Sequence, residues 1–203
     1  SFLAKGGIFM IPILACSVAA LAIFLERLWN LRRGKIIPPA FMMELEDLIR
    51  NEKIPRAIEL CRRSGTPIAK VLVSAIKNFG RRREVLKERI EEVGRREAAV
   101  MTRYMEALAT IANVSTLIGL LGTIAGMIEV FSVISEQTAI SPTSMAHGIS
   151  VALYTTVFGL SVAIPTLVGH RYLSGRADGL ILQMEETSIE MMELLKEKEA
   201  ELG

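Results

Sequence analysis

The sequence predicts an all-α membrane protein: three transmembrane helices, two of them extended into long cytoplasmic helices, with a small helical cytoplasmic insert. Three observations lead there. Apolar residues run almost unbroken over 7–31, 108–134 and 148–169, each stretch long enough for the about 20 helical residues that cross a bilayer. Elsewhere, charged residues alternate with apolar ones at helical spacing. The chain is 51% hydrophobic yet 23% charged, a mixture that suits membrane spans joined to water-facing helices better than one soluble core.

The first span is uncharged from Gly6 to Leu25, with Pro12 near its start and Trp29 near its end, where an indole suits the headgroup layer. A secretory signal peptide would carry its positive charge ahead of the apolar run. Here only Lys5 precedes it, while Arg27, Arg32 and Arg33 follow. Glu26 and Arg27, at the end of the span, are expected to snorkel or pair locally.

The second span, LATIANVSTLIGLLGTIAGMIEVFSVI, carries hydroxyls and glycines that a plain anchor does not need. Thr116 and Thr123 are two turns apart and share a face. Gly119, Gly122 and Gly126 form a neighbouring small-residue stripe that lets another helix approach closely. The third span has its own hydroxyl pair, Thr155 and Thr156, and Ala152, Gly159 and Ala163 lie on the face of Thr156. Glu129 falls in the outer third of span two, where a functional carboxylate and an interface-facing one look alike. An isolated membrane threonine bonds the carbonyl a turn back or a neighbouring helix, which is the plain structural reading of all four.

Basic residues set the expected orientation. The connector SEQTAISPTSMAH contains no Lys or Arg, whereas most of the Lys and Arg fall between spans one and two and the rest mainly in the tail. The positive-inside rule then places the N-terminus and the connector outside. The predicted organisation is a first transmembrane helix over 1–33, a cytoplasmic helical insert over 34–107 and a second transmembrane helix over 108–134. An external connector over 135–147, a third transmembrane helix over 148–170 and a cytoplasmic helical tail over 171–203 follow.

The insert reads as a series of helices. Pro38 and Pro39 open the first, with Met42, Leu45, Leu48 and Ile49 inward, and Ile54, Ala57, Ile58 and Cys61 repeat that spacing until Ser64 and Gly65. Thr66 caps the next helix and Pro67 takes its first position; Ile68, Val71, Leu72, Ala75, Ile76 and Phe79 form its stripe up to Gly80. After Arg81–Arg83, Leu86, Ile90, Val93, Val100, Tyr104 and Leu108 recur at helical intervals, with Glu91–Arg95 and Glu92–Arg96 one turn apart. No proline interrupts this pattern, so one continuous helix is expected over 82–134. In the tail, Leu173, Ala177, Leu180, Met184, Met191 and Leu195 keep a near-heptad spacing, which predicts that span three continues as a helix packed on the one leading into span two.

Other chemistries find little support. A net charge of +2 with interleaved signs argues against nucleic acid. Cys16 and Cys61 have no spacing motif and read as free thiols. His147 and His170 have no companion at ligand spacing, so neither metal nor cofactor is expected. No nucleophile–base set or phosphate loop appears, so no enzyme is expected.

Three segments, GIFMIPILACSVAALAIFLERLWNLRR, LATIANVSTLIGLLGTIAGMIEVF and HGISVALYTTVFGLSVAIPTLV, resemble the ExbB/TolQ/MotA family of proton-channel proteins. The most specific pieces are Gly119 to Thr123 with Gly126, and Gly159-Leu160 followed by Ala163-Ile164-Pro165. Three spans with a large insert after the first resemble the ExbB/TolQ branch; the flagellar MotA branch has four. The resemblance implies a homopentameric ring around a single-span partner of the ExbD/TolR type, whose membrane aspartate takes and releases protons. It also implies a driven envelope protein of TonB or TolA type. Thr123 and Thr156 match the family's pore threonines, with Thr116, Thr155 and Glu129 as supporting polar positions and Gly119, Gly122, Gly126, Gly159 and Ala163 as packing positions. Many members carry a glutamate where this chain has Val151, so the ring would bring no carboxylate of its own at that level of span three. The resemblance therefore implies a subunit of an inner-membrane proton-channel motor. A secondary transporter and a structural scaffold are the competing classes; within the family, a gliding- or stator-type subunit is the alternative. Against the transporter, no inverted repeat or broken-helix pair is present.

Overall fold

The computed structural model describes residues 8–78, 82–136 and 142–202, and every regular element among them is an α-helix. In chain order these are α1 (Met10–Asn30), α2 (Arg33–Ile36), α3 (Pro39–Arg50), α4 (Ile54–Ser64), α5 (Pro67–Lys77), α6 (Arg83–Thr102), α7 (Met105–Glu136) and α8 (Pro142–Leu202). Three helical stretches are long and apolar enough to cross a membrane: α1, the run ending in α7, and the first part of α8. The expected positions Phe79, Gly80 and Arg81 lie outside the described residues, as does 137–141 of the connector. The connector's described residues are helical, at the end of α7 and the start of α8.

The chain divides into two compact units. One contains the residues up to Glu26 and Tyr104–Tyr172; the other contains Arg27–Arg103 and the residues from Leu173 onward.

In the second unit, short helices are stacked in sequence, α3 against α4, α4 against α5 and α5 against α6. Prolines at the first turns of α3, α4 and α5 fit there because those positions have no intrahelical N–H bond to lose. Gly65 ends α4 with φ +61, a left-handed conformation that suits glycine. Thr66 occupies the N-cap of α5 without a capping bond, and its hydroxyl lies 3.1 Å from that of Ser64 instead. Leu45, Ile49, Ala57, Ile68, Leu72, Ala75 and Leu86 are buried, each larger side chain contributing roughly 1.5–3 kcal/mol. Phe41 is the more buried residue of the first turn of α3, where Met42 is only partly covered. Cys61 belongs to this core, and burial pushes its thiol up to about 11, so it stays protonated at neutral pH. All six apolar positions of the tail stripe, Leu173 to Leu195, are buried. Met184 and Ser188 of α8 line one cavity with Ile90 and Gly94 of α6.

One expectation fails. The helix expected over 82–134 is interrupted at Arg103–Tyr104, where Tyr104 takes φ +78, costing a non-glycine residue about 1–2 kcal/mol. Around the break the buried stripe shifts by one residue. Val100 and Tyr104 are 57% and 44% exposed, and Met101 and Met105 take the buried positions. An unbroken helix would offer the Val100 carbonyl the Tyr104 N–H. Instead Arg27 Nη1 donates to it at 3.3 Å. This also brings a cation to the negative end of α6. Arg27 is 8% exposed and makes this long-range bond. Two further ion contacts differ from the sequence pattern: Glu91 lies 3.9 Å from Lys87, and Glu97, almost buried, holds Lys70 at 3.0 Å. Glu92 and Arg96 do meet, at 3.5 Å.

The first unit is organised by small residues. A Cβ placed on Gly159 would stand 2.6 Å from the Ser115 carbonyl and 3.0 Å from Gly119 Cα; one on Gly119 would stand 3.2 Å from the Thr155 carbonyl. At this crossing α7 and α8 touch backbone to backbone. Further along, Gly122 receives the Thr155 side chain and Gly126 receives Ala152. Phe24 of α1 lies over Gly169. Within lipid such contacts act through close van der Waals packing, since the bilayer is as apolar as leucine. Outward, Ile11, Leu14, Val18, Leu21 and Leu25 of α1 and Leu117, Ile124, Ile128 and Phe131 of α7 remain exposed, as lipid-facing or subunit-facing surfaces require.

These contacts predict opposite outcomes at different glycines. Gly159→Ala should force α7 and α8 apart and destabilise the protein by about 1–3 kcal/mol. Gly175→Ala, with nothing within 4 Å of the added atom, should stabilise α8 by roughly 0.5–1 kcal/mol. Thermal melting of the purified variants checks both; equal shifts for the two would contradict the crossing geometry.

Candidate functional site

Seven glycine, alanine and threonine positions converge on the α7–α8 crossing. Gly119, Gly122, Gly159, Ala163 and Ala152 are buried there, and Thr123 and Thr156 are half-buried. Their hydroxyls are in direct hydrogen-bond contact with each other. Thr156 Oγ1 donates to the Gly119 carbonyl at 2.9 Å, and Thr123 Oγ1 reaches the Ala152 carbonyl at 3.1 Å and its own helix's Gly119 carbonyl at 3.4 Å.

Other hydroxyls of the spans turn back onto their own helices. Thr116 bonds the Ala112 carbonyl at 3.1 Å, Thr155 the Val151 carbonyl at 3.0 Å, Ser161 the Val157 carbonyl at 2.7 Å and Thr166 the Val162 carbonyl at 2.7 Å. Thr123 and Thr156 instead bond across the helix pair, because Gly119 and Gly159 bring the two backbones close enough for a short side chain to reach over. Two threonines one residue apart thus differ in place: Thr155 is 1% exposed and packs on Gly122, while Thr156 joins the cross-helix contact.

The proton arrangement of this contact is reversible. With two hydroxyl protons, Thr123 can donate to Thr156 while Thr156 donates to the Gly119 carbonyl. Equally, Thr156 can donate to Thr123 while Thr123 donates to the Ala152 carbonyl. Each hydroxyl has one proton and two accepting lone pairs, so either arrangement leaves accepting capacity for a third group. Such a pair places no formal charge in hydrocarbon.

The remaining polar positions lie on either side. Glu129 is exposed and lines a cleft of about 270 Å³ with Gly126, Val151, His147 and Gly148. Ser115, not singled out from the sequence, is fully buried beside Gly159, and its hydroxyl has no hydrogen-bond partner. It precedes Gly119 and Gly122 on the same stripe, which was the available signal. Among the described residues, no cluster of His, Cys, Asp or Glu with metal-binding spacing is present.

Residues 63–186 match the family model described as the MotA/TolQ/ExbB proton channel family. A biopolymer transport ExbB homologue of Methanothermobacter thermautotrophicus is 29% identical over 89% of this chain, which spans 64% of that relative's length. An ExbB-like biopolymer transport protein of Synechocystis is 31% identical over 80% of this chain and 79% of its own. The Tol-Pal system protein TolQ of Haemophilus influenzae is 35% identical over 42% of this chain and 37% of its own. A match over more than half the chain, on spans whose helices and small-residue crossing are in place, shows that this chain belongs to the MotA/TolQ/ExbB proton channel family as a multi-pass membrane protein.

Proposed function

We propose that this chain is the ring-forming subunit of an inner-membrane motor that converts proton-motive force into mechanical work on envelope partners. The observation that carries this reading is the cross-helix hydroxyl contact of Thr123 and Thr156, set in spans otherwise almost free of charge. In the proposed complex, a single-span partner of the ExbD/TolR type places a membrane aspartate beside these hydroxyls. A carboxylate in hydrocarbon is stabilised by donors when ionised and by acceptors when neutral. A threonine pair offers both. An energised protein of TonB or TolA type would then take up the motion.

Assembly follows from the exposed apolar faces of α1 and α7, which one chain leaves uncovered, and from the absence of a pore within a single helix pair. Five copies around the partner is the proposed stoichiometry. Native mass measurement after mild extraction should return a ring of this order; a stable monomer would contradict it. By the positive-inside rule, the insert and tail face the cytoplasm and the connector faces outward.

A second reading has its own support. The same bonds tie α7 to α8, so the pair is also a structural clamp, of a kind worth about 0.6 kcal/mol per bond on average in membranes. Thr123→Val and Thr156→Val separate the two. In assembled complexes reconstituted with the partner, each should slow proton flux by roughly ten- to a hundredfold, the kinetic equivalent of about 1.5–3 kcal/mol. Melting should change little. Thr155→Val removes a hydroxyl that bonds its own helix and should leave flux near that of the parent. Flux retained in the Thr123 and Thr156 variants, or lost only in proportion to stability, returns the pair to a clamp.

A further inference from the structure

We infer that Glu129 and His147 form a proton-collecting vestibule that loads the Thr123–Thr156 contact, an inference that rests on the proton-channel reading proposed above. The cleft between α7 and α8, about 270 Å³ in volume, is lined by both residues, with Gly126 and Val151 beside them. These are the titratable groups that the two helices present to it. A volume of that size admits several waters.

Glu129 interrupts an apolar run whose neighbours Ile128 and Phe131 are 64% and 63% exposed. A carboxylate at such a place needs water or a polar partner, and the cleft supplies the water. His147 brings an imidazole, a group able to accept a proton and release it again. The cleft also adjoins the hydroxyl pair. Gly126 lies against Ala152, and the Ala152 carbonyl accepts from Thr123. Thr123 is one turn back along α7, roughly 4.5 Å by helical rise.

The chemistry is proton transfer alone. Hydronium from the facing solution gives its proton to the Glu129 carboxylate, either directly or by way of the His147 imidazole, which takes it up and releases it to Glu129 through water. The protonated Glu129 then gives that proton to a water in the cleft, and that water passes one on toward the threonine pair. Each side chain returns to its starting protonation state after each passage. Collection of this kind matters most when protons are scarce.

The test is the pH profile of flux in the complex reconstituted with its single-span partner, using Glu129→Gln, His147→Gln and Thr123→Val. Glu129→Gln should lower flux roughly tenfold near pH 8 and much less near pH 5.5, where protons are plentiful. Thr123→Val should lower it at both. Because Val151 lines the same cleft, adding Val151→Glu to the Gln variant should restore flux by returning a carboxylate from the other wall. An assembled Glu129→Gln complex with parental flux at every pH would overturn the vestibule and leave the threonine pair standing. A loss independent of pH, or not rescued by Val151→Glu, would overturn it too. If Glu129→Gln fails to assemble, exposed His147→Gln decides: a loss confined to high pH supports the vestibule and an unchanged profile overturns it. A pH-dependent loss beside full flux in Thr123→Val would overturn loading of the threonine pair.

Discussion

The close approach of α7 and α8 at Gly119 and Gly159 is the constraint on which the rest of the membrane unit depends, because nothing larger than hydrogen fits between the two backbones there. Hydrophobic burial cannot hold two apolar helices together inside lipid. Packing must do it, with some help from hydrogen bonds. The glycines therefore have two effects. They gather van der Waals contact along the crossing, and they shorten the gap until a threonine hydroxyl can bond the carbonyl of the facing helix. Thr123 and Thr156 are where they are chemically because of Gly119 and Gly159.

That arrangement gives the spans an unusual polar content without a formal charge at the crossing. Ser115, Thr156 and Thr123 lie along the α7–α8 interface, and Glu129 with His147 opens beyond them. The threonine hydroxyls tolerate burial because each finds a carbonyl acceptor, on its own helix or the next. A carboxylate does not, and Glu129 accordingly sits in a cleft rather than in the packed crossing. In the proposed path, neutral hydroxyls lie at the crossing and titratable groups line the cleft beyond, an order that keeps charge out of the packed, low-dielectric crossing.

Much of this was legible in the residues, and the failures have physical causes. The tail stripe from Leu173 to Leu195 is buried at every expected position because a long heptad-like pattern leaves only one way to turn the helix. The glycine stripe announced a close crossing. The break at Tyr104 had no such signal. No glycine or proline marks it, and the conformation is maintained with Arg27, distant in sequence, donating to the exposed carbonyl of Val100. Glu97 pairs with Lys70, a contact between two helices that local periodicity cannot express. Similarly, Thr116, Thr123, Thr155 and Thr156 look alike in the sequence. Their division into own-helix and cross-helix donors depends on which backbone the glycines bring near.

The central claim is that the two threonines act as one hydrogen-bonded unit, and a double-mutant cycle on proton flux tests it most directly. Two residues that share one contact should show strong coupling. The account predicts that Thr123→Val with Thr156→Val together is no slower than the slower single variant, because either substitution already breaks the relay. Effects that multiply, each variant slowing flux by its own factor independently of the other, would contradict it.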